Sequence, residues 1–295
     1  MEFTTLNDLL GWAEGVFSEN SLHFGHGTDN AWDEAVSLAL FVLKLAPDVD
    51  STVGERLISP DEKKAFVSLV NRRVSERIPV PYLTNEAWFA GLKFYIDERA
   101  LIPRSPFAEL IRNGFQPWLG ERPVKRVLDL CTGGGCLAIA TAYAFPKAMI
   151  DAVDISKTAL AVAEKNIALH GCQNRVQLIE ADLFSGLKEK QYDLIISNPP
   201  YVGVEEMENL PAEFKWEPKM ALVAGNDGLD LVKQILKNSL NHLNPQGLLF
   251  VEVGNSMEAL ENQYPNTPFT WLEFEHGGHG IFMLEAEDKA CWQEF

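Results

Sequence analysis

From about residue 103 onward the sequence alternates strand-like with helix-like stretches, and few architectures accept such a pattern. "VKRVLDL", "AMIDAVD", "RVQLIEAD", "YDLIISN" and "GLLFVEVG" are short apolar runs of the kind found in buried parallel strands. "CLAIATAYAF", "SKTALAVAEKNIALHG" and "GLDLVKQILKNSLNHL" carry helical spacing, the second closed by Gly171 as a C-cap. "FTWLEFE" and "GIFMLEA" are an expected antiparallel pair at the end. The pattern predicts an α/β fold: a doubly wound, mostly parallel sheet with helices on both faces. Ligands of such sheets bind at the carboxyl ends of the strands, so chemistry is sought there.

The first 77 residues differ. "NDLLGWAEGVF", "AWDEAVSLALFVLKL" and "PDEKKAFVSLVNRRVSERI" repeat apolar residues every three or four positions and predict helices. Pro60 precedes an acidic first turn, a start signal. "IPVPYL" breaks the helical pattern, and "EAWFAGLKFYIDERALIP", with Gly91 near its centre, predicts a β-hairpin. The expected organisation is a small helical substrate-recognition domain (1–80), a β-hairpin linker (81–102) and the α/β domain (103–295).

Composition restricts the partners. The chain has 25 basic and 42 acidic residues, a formal charge of −17. A large nucleic-acid footprint needs clustered Lys and Arg, so a nucleic-acid substrate is not expected, whereas a basic protein partner is compatible. No apolar run reaches membrane-spanning length, and "MEFTTLNDLLGWAEG" is acidic where a secretory signal is basic. The four cysteines show no CxxC pair, and reduced thiols in a cytoplasmic protein are expected.

The first strand of the alternating region runs into "DLCTGGGCLAIA". Gly133, Gly135 and Ala138 fit G-x-G-x-x-G/A, and Asp154 follows Gly133 by 21 residues at the next strand end. Such glycines allow close backbone approach to a nucleotide, and the acid takes ribose hydroxyls. A nicotinamide cofactor would put a pyrophosphate at this helix start. Asp129, just ahead of the loop, would repel it. S-adenosylmethionine carries a sulfonium and an ammonium group, beside which a carboxylate is favourable. Asp129 thus favours adenosylmethionine, with Thr132 of the same loop grouped among the cofactor-binding candidates. Asp182 in "EADLF" is placed to accept from an adenine amino group; a helix N-cap is the plainer alternative.

"YDLIISNPPYVG" then ends a strand on Asn198, Pro199, Pro200 and Tyr201. The prolines carry no N–H and hold the residues before them extended. The result is a stiff corner rich in acceptors. The Asn198 side-chain oxygen and the Pro199 carbonyl can meet the two hydrogens of a planar NH2 group. Holding those hydrogens orients a poorly nucleophilic nitrogen and favours charge building on it during attack. Tyr201 can pack against the planar group. No strong general base is required, because the methylated nitrogen becomes acidic.

These motifs, "DLCTGGGCLAIA", "DAVDIS", "EADLF" and "SNPPYV", resemble those of class I adenosylmethionine-dependent methyltransferases acting on exocyclic or amide nitrogen. The segment "IPVPYLTNEAWFAGLKFYIDERALIPR" with "VEVGN" resembles the protein-glutamine N5-methyltransferases. "HFGHGTDNAWDEA" and "YPNTPFTWLEFEHGGHGIFML" resemble the branch acting on large-subunit ribosomal protein three. The resemblance covers nearly the whole chain and implies a Rossmann-like domain. It implies that Asn198 and the Pro199 carbonyl bind the target amide beside Tyr201. Asp129, Gly133 and Gly135 would line the methionine part, Asp154 the ribose and Asp182 the adenine. Gly134 stands where the family more often has serine. Arg104 lies where the release-factor branch has a longer acidic motif, and its role is left open. Rival readings are a release-factor glutamine methyltransferase, a nucleic-acid amino methyltransferase, and a binding module with a decayed site.

Weaker signals receive structural expectations. His23, His26 and Asp29 lack further metal ligands, so no metal is expected; Asp29 or Asn30 caps the next helix. His276 and His279 in "HGGHG" mark a turn. Trp32, Trp88, Trp118, Trp216 and Trp271 are expected as packing residues. Glu252 in "FVEVGN" either orients substrate or caps the sheet edge.

Overall fold

The computed structural model describes residues 3–295. Helices α1 (Leu6–Glu19), α2 (Ala31–Leu43) and α3 (Pro60–Glu76) bury Leu9, Phe17, Leu38, Phe66 and Val70 against one another. Their starts are sequence-encoded. Thr5 with Asp8 and Ser59 with Glu62 form capping boxes, and Pro60 takes the first helical position, where its missing N–H goes unneeded. Asn30, not Asp29, caps α2 by accepting from the Asp33 amide at 2.9 Å. α3 ends at Glu76, with Arg77 left-handed, as "IPVPYL" predicts, and a separate short helix α4 (Val80–Thr84) follows with Pro81 in its first turn.

A hairpin follows, with β1 (Glu86–Phe89) paired to β2 (Leu92–Tyr95). Its two turn residues, Ala90 (φ 50°) and Gly91 (φ 81°), both have positive φ, the mirror-image turn that matches strand twist. Alanine pays a steric cost there. Ala90→Asn is expected to stabilise the protein by roughly 0.5–1 kcal/mol in urea titration; a loss would contradict this turn assignment.

The large sheet has seven strands: β3 (Arg126–Leu130), β4 (Met149–Asp154), β5 (Val176–Glu180), β6 (Tyr192–Ser197), β7 (Leu243–Glu252), β8 (Thr270–Trp271) and β9 (Ile281–Glu285). Their spatial order is β5-β4-β3-β6-β7-β9-β8. The five strands from β5 to β7 run parallel, and β9 is antiparallel to both its neighbours. Helices α5 (Phe107–Arg112), α6 (Cys136–Ala144), α7 (Lys157–Leu169), α8 (Val204–Asn209), α9 (Asp230–Ser239) and α10 (Met257–Gln263) complete the domain. Phe115, Ile139 and Phe250 belong to the core on one face of the sheet, and Leu130, Leu236 and Val251 to the core on the other. The terminal strands pair antiparallel as the sequence predicts. The last one, however, inserts beside β7. "IFMLE" is almost entirely apolar and goes inside, whereas the half-buried Thr270–Trp271 pair takes the edge.

β3 is flanked by β4 on one side and β6 on the other, so the strand order reverses there. This topological switch point opens a crevice at the strand ends. Leu130 lies opposite Ser197, and the Ser197 hydroxyl donates to the Leu130 carbonyl at 2.8 Å. Two motifs 67 residues apart in sequence thereby become neighbours. The buried Asn166 of α7 adds a third party. Its amide bonds Tyr95 N and O and the Gly134 carbonyl, tying the hairpin to the glycine loop.

Candidate active site

The glycine loop is held open by Asp154. Asp154 Oδ2 accepts from the Gly133 amide at 2.8 Å and Oδ1 from the Ser156 amide at 2.8 Å. Gly133 has φ 54°, and a Cβ there would meet open space. Gly135 is glycine for another reason: at φ 79° it starts α6, and a Cβ would stand 3.1 Å from the Ala163 Cβ of α7. Gly134 has ordinary room, so serine would fit there. Asp129 is buried beneath the loop, where the Thr132 hydroxyl donates to it at 2.6 Å and its second oxygen has no partner among the described residues. Burial pushes the Asp129 carboxyl up to about 7 against the pull of Thr132, and burial likewise raises Asp154.

A cavity of about 510 Å³ lies in front of this loop. Gly133, Asp154, Asp182 and Asn198 line it; Asp129, Thr132 and Gly135, grouped with them on sequence, are not on its lining. No helix follows Asp182 that it could cap, and its side chain is on the cavity wall. Sequence reasoning missed Ile155 and Met220, which are 57% and 63% exposed and offer apolar walls. It also missed Arg99, whose charge is met by Asp97 at 2.8 Å.

The Asn-Pro-Pro-Tyr corner follows β6. A second cavity, of about 250 Å³, lies beyond it and is lined by Arg104, Asn198, Pro199, Tyr201 and Phe214 among others. Asn198 lines both cavities, as do Leu101 and Ala221. Neither its side-chain amide nor the Pro199 carbonyl forms a hydrogen bond with any described residue. The corner is braced from behind. Val202 exchanges backbone bonds with Leu222 and Ala224, and the Tyr201 carbonyl is met by Ser256 Oγ at 3.1 Å. At Gly228 (φ 74°) a Cβ would fall 2.1 Å from that carbonyl, so only glycine lets the chains approach.

Residues 204–224 form a wall shared by both cavities, and two buried acids anchor it. Glu213 bonds Arg73 at 3.2 Å and the His23 amide at 3.1 Å; burial opposes its ionisation, yet these donors hold its carboxyl low. Arg73, fully buried in α3, also grips Glu34 at 2.9 Å. Glu217 takes both nitrogens of Arg104 and the Ile102 amide. The His26 ring stands 3.5 Å from Glu217, at ion-pair distance without an aligned hydrogen bond, and packs on Phe214 with centroids 4.6 Å apart. The histidine motif is thus a joint between the helical bundle and the wall, and the described residues contain no cluster fit to hold a metal. Arg104 faces the second cavity, not the first.

The tryptophan expectation holds for two of the five residues. Trp118 and Trp271 pack against the two cores as expected, whereas Trp32, Trp88 and Trp216 are 40%, 49% and 39% exposed. Trp216 still ties the wall to α3 through the Glu76 carbonyl at 3.0 Å.

Burial works against the Glu217 charge, but His26 and Arg104 outweigh it and hold the carboxyl at about 2, against 4.5 ordinarily. A depressed folded value means stability that is present above pH 4.5 and lost as pH falls through about 2. This corresponds to ~3 kcal/mol. Acid titration of Glu217→Gln, followed by circular dichroism, is expected to lack that component; identical acid curves would refute it.

A model described as the methyltransferase small domain matches residues 115–225. Among solved structures, the hMettl16 catalytic domain in complex with MAT2A 3'UTR hairpin 6 is similar at 17% identity and TM-score 0.54. The match covers 84% of this chain and 91% of that one, and likeness at this level concerns the fold alone. The architecture and the site therefore define a Rossmann-like methyltransferase. The "Ribosomal protein uL3 glutamine methyltransferase" of Francisella tularensis subsp. tularensis is 48% identical over 292 residues, covering 98% of this chain and 93% of its own. The protein of that description from Xanthomonas campestris pv. campestris is 49% identical over 288 residues, covering 97% and 93%. The chain belongs to the ribosomal protein uL3 glutamine methyltransferase family.

Proposed function

We propose that this enzyme transfers the methyl group of S-adenosyl-L-methionine to the side-chain nitrogen (N5) of a glutamine in large-subunit ribosomal protein uL3. The observation that carries this reading is the Asn198 corner: two unshared acceptors at the junction of a nucleoside-sized cavity and a smaller one.

The first cavity suits the cofactor's chemistry. Asp154 and Asp182 line it, while its one guanidinium, Arg99, is already paired. A pyrophosphate would meet net negative charge; a sulfonium and an ammonium group meet attraction. Asp154 serves the ribose hydroxyls, Asp182 the adenine amino group, and Ile155 and Met220 the faces of the base. The cofactor supplies an electrophilic methyl group.

In the second cavity Asn198 Oδ1 and the Pro199 carbonyl accept the two amide hydrogens, and Tyr201 flanks the amide plane. The nitrogen lone pair is thereby aimed through the corner. The N–C bond forms as the S–C bond breaks, and the nitrogen then loses a proton to solvent. The helical bundle, joined to the cavity wall through Glu213 and Glu217, serves as the docking surface for the protein substrate. No helix among the described residues is long and apolar enough to cross a membrane, which is compatible with a cytoplasmic ribosomal substrate.

The test is incubation with labelled S-adenosylmethionine and ribosomal extract lacking this methylation. Label is expected in uL3. Label in RNA would overturn the reading, and label in a release factor would select that rival substrate.

A further inference from the structure

One buried group at the corner has no part in the reaction described so far. Glu252 ends β7 and is 3% exposed. Its two oxygens take two hydroxyl donors: Tyr201 OH at 3.0 Å on Oε1, and Ser105 Oγ on Oε2. Ser105 also accepts from the Phe107 amide at 3.0 Å, which directs its hydrogen toward Glu252. It sits in the segment after β2 that contributes Arg99, Leu101 and Arg104 to the two cavities.

Tyr201 is constrained on other sides too. Gly254 (φ 48°) lies against its ring, and a Cβ there would fall 2.7 Å from Cε2. Gly280 presses on Gly254 in turn, where a Cβ would fall 2.4 Å from the Gly254 carbonyl oxygen. If the ring served packing alone, phenylalanine would fill the space and no acid need be buried beside it. Burying a carboxylate is costly unless its partners are well placed. The cost is accepted here at a tyrosine that lines the second cavity with Asn198 and Pro199.

We infer that Glu252 is a positioning residue for methyl transfer: by accepting from the Tyr201 hydroxyl, with Ser105 on its other oxygen, it sets the pitch of the tyrosine ring against the target amide. The inference rests on the corner being the amide site. It resolves the two roles the sequence left open for Glu252, since the residue acts on substrate through Tyr201. The lock requires an ionised carboxylate, because both neighbours donate. Burial pushes the Glu252 carboxyl up to about 7, opposed by Ser105, Tyr201 and the Arg104 charge, which are the groups that face it. Turnover should therefore fall as pH drops through about 7.

The experiment is a double-mutant cycle on the full chain with uL3 as substrate. Glu252→Gln keeps the shape and removes the titration. It is expected to lower kcat about tenfold, leave KM for S-adenosylmethionine within about twofold, and flatten the acid limb. In a Tyr201→Phe background the same change is expected to cost less than about twofold. Ser105→Ala, which leaves the carboxylate in place, is a second variant should Glu252→Gln fail to fold; it is expected to lower kcat only when Tyr201 is present. Equal losses in both backgrounds, or a kcat–pH profile at saturating S-adenosylmethionine that Glu252→Gln leaves unchanged, would overturn the inference while leaving the corner's role intact. If Asn198→Ala and Tyr201→Phe both keep full turnover, the amide-site reading fails and this inference fails with it.

Discussion

Asn198→Ala is expected to lower turnover about a thousandfold while changing S-adenosylmethionine affinity by no more than a few-fold. The substitution removes one of two acceptors that hold the target nitrogen, and with it the orientation of the lone pair. Loss of a single preorganised partner in a shielded site commonly costs about 10²–10³ in rate. Asn198 touches both cavities, but the first retains Asp154, Asp182 and the glycine loop, so cofactor binding survives. Single-turnover transfer of labelled methyl, alongside calorimetric titration with the cofactor, separates the two effects. A collapse of cofactor binding with normal chemistry would mean that the corner belongs to the first cavity alone.

Arg73→Met is expected to destabilise the protein by ~3–5 kcal/mol. Arg73 is fully buried and is the shared partner of two buried acids: Glu34 on α2 and Glu213 in the cavity wall. Removing it strands both. Glu34, whose carboxyl burial already raises against the pull of Arg73, would protonate, and Glu213 would keep only the His23 amide at 3.1 Å and the peripheral Arg77 at 3.4 Å. Replacing the three together by apolar residues of similar volume should recover most of the loss, because the penalty comes from unpaired charge rather than lost attraction. Urea denaturation of the single and triple variants is the measurement. A single-variant loss under about 1 kcal/mol would show that the network is solvated.

Much of the site was legible locally. The capping boxes, the glycine loop and the proline corner are contiguous patterns, and their backbone consequences follow from a few neighbouring residues. The placement of Asp129 was not legible. On spacing it belongs with the cofactor ligands, yet the structure turns it beneath the loop toward Thr132. Nor was the insertion of β9, since strand order depends on competition among faces for burial rather than on any one run.

By itself, then, the chain's sequence determined which segments become strands and helices, where the loop must bend, and that two acceptors stand at a strand end. Those properties arise from φ restrictions, missing N–H groups and side-chain periodicity, all short-range. The tertiary structure alone decided that Leu130 and Ser197 lie side by side, that Arg73 meets Glu213 across 140 residues, and that Glu252 reaches Tyr201. These contacts depend on how whole elements pack, and a buried charge finds its partner through the fold rather than through the sequence next to it.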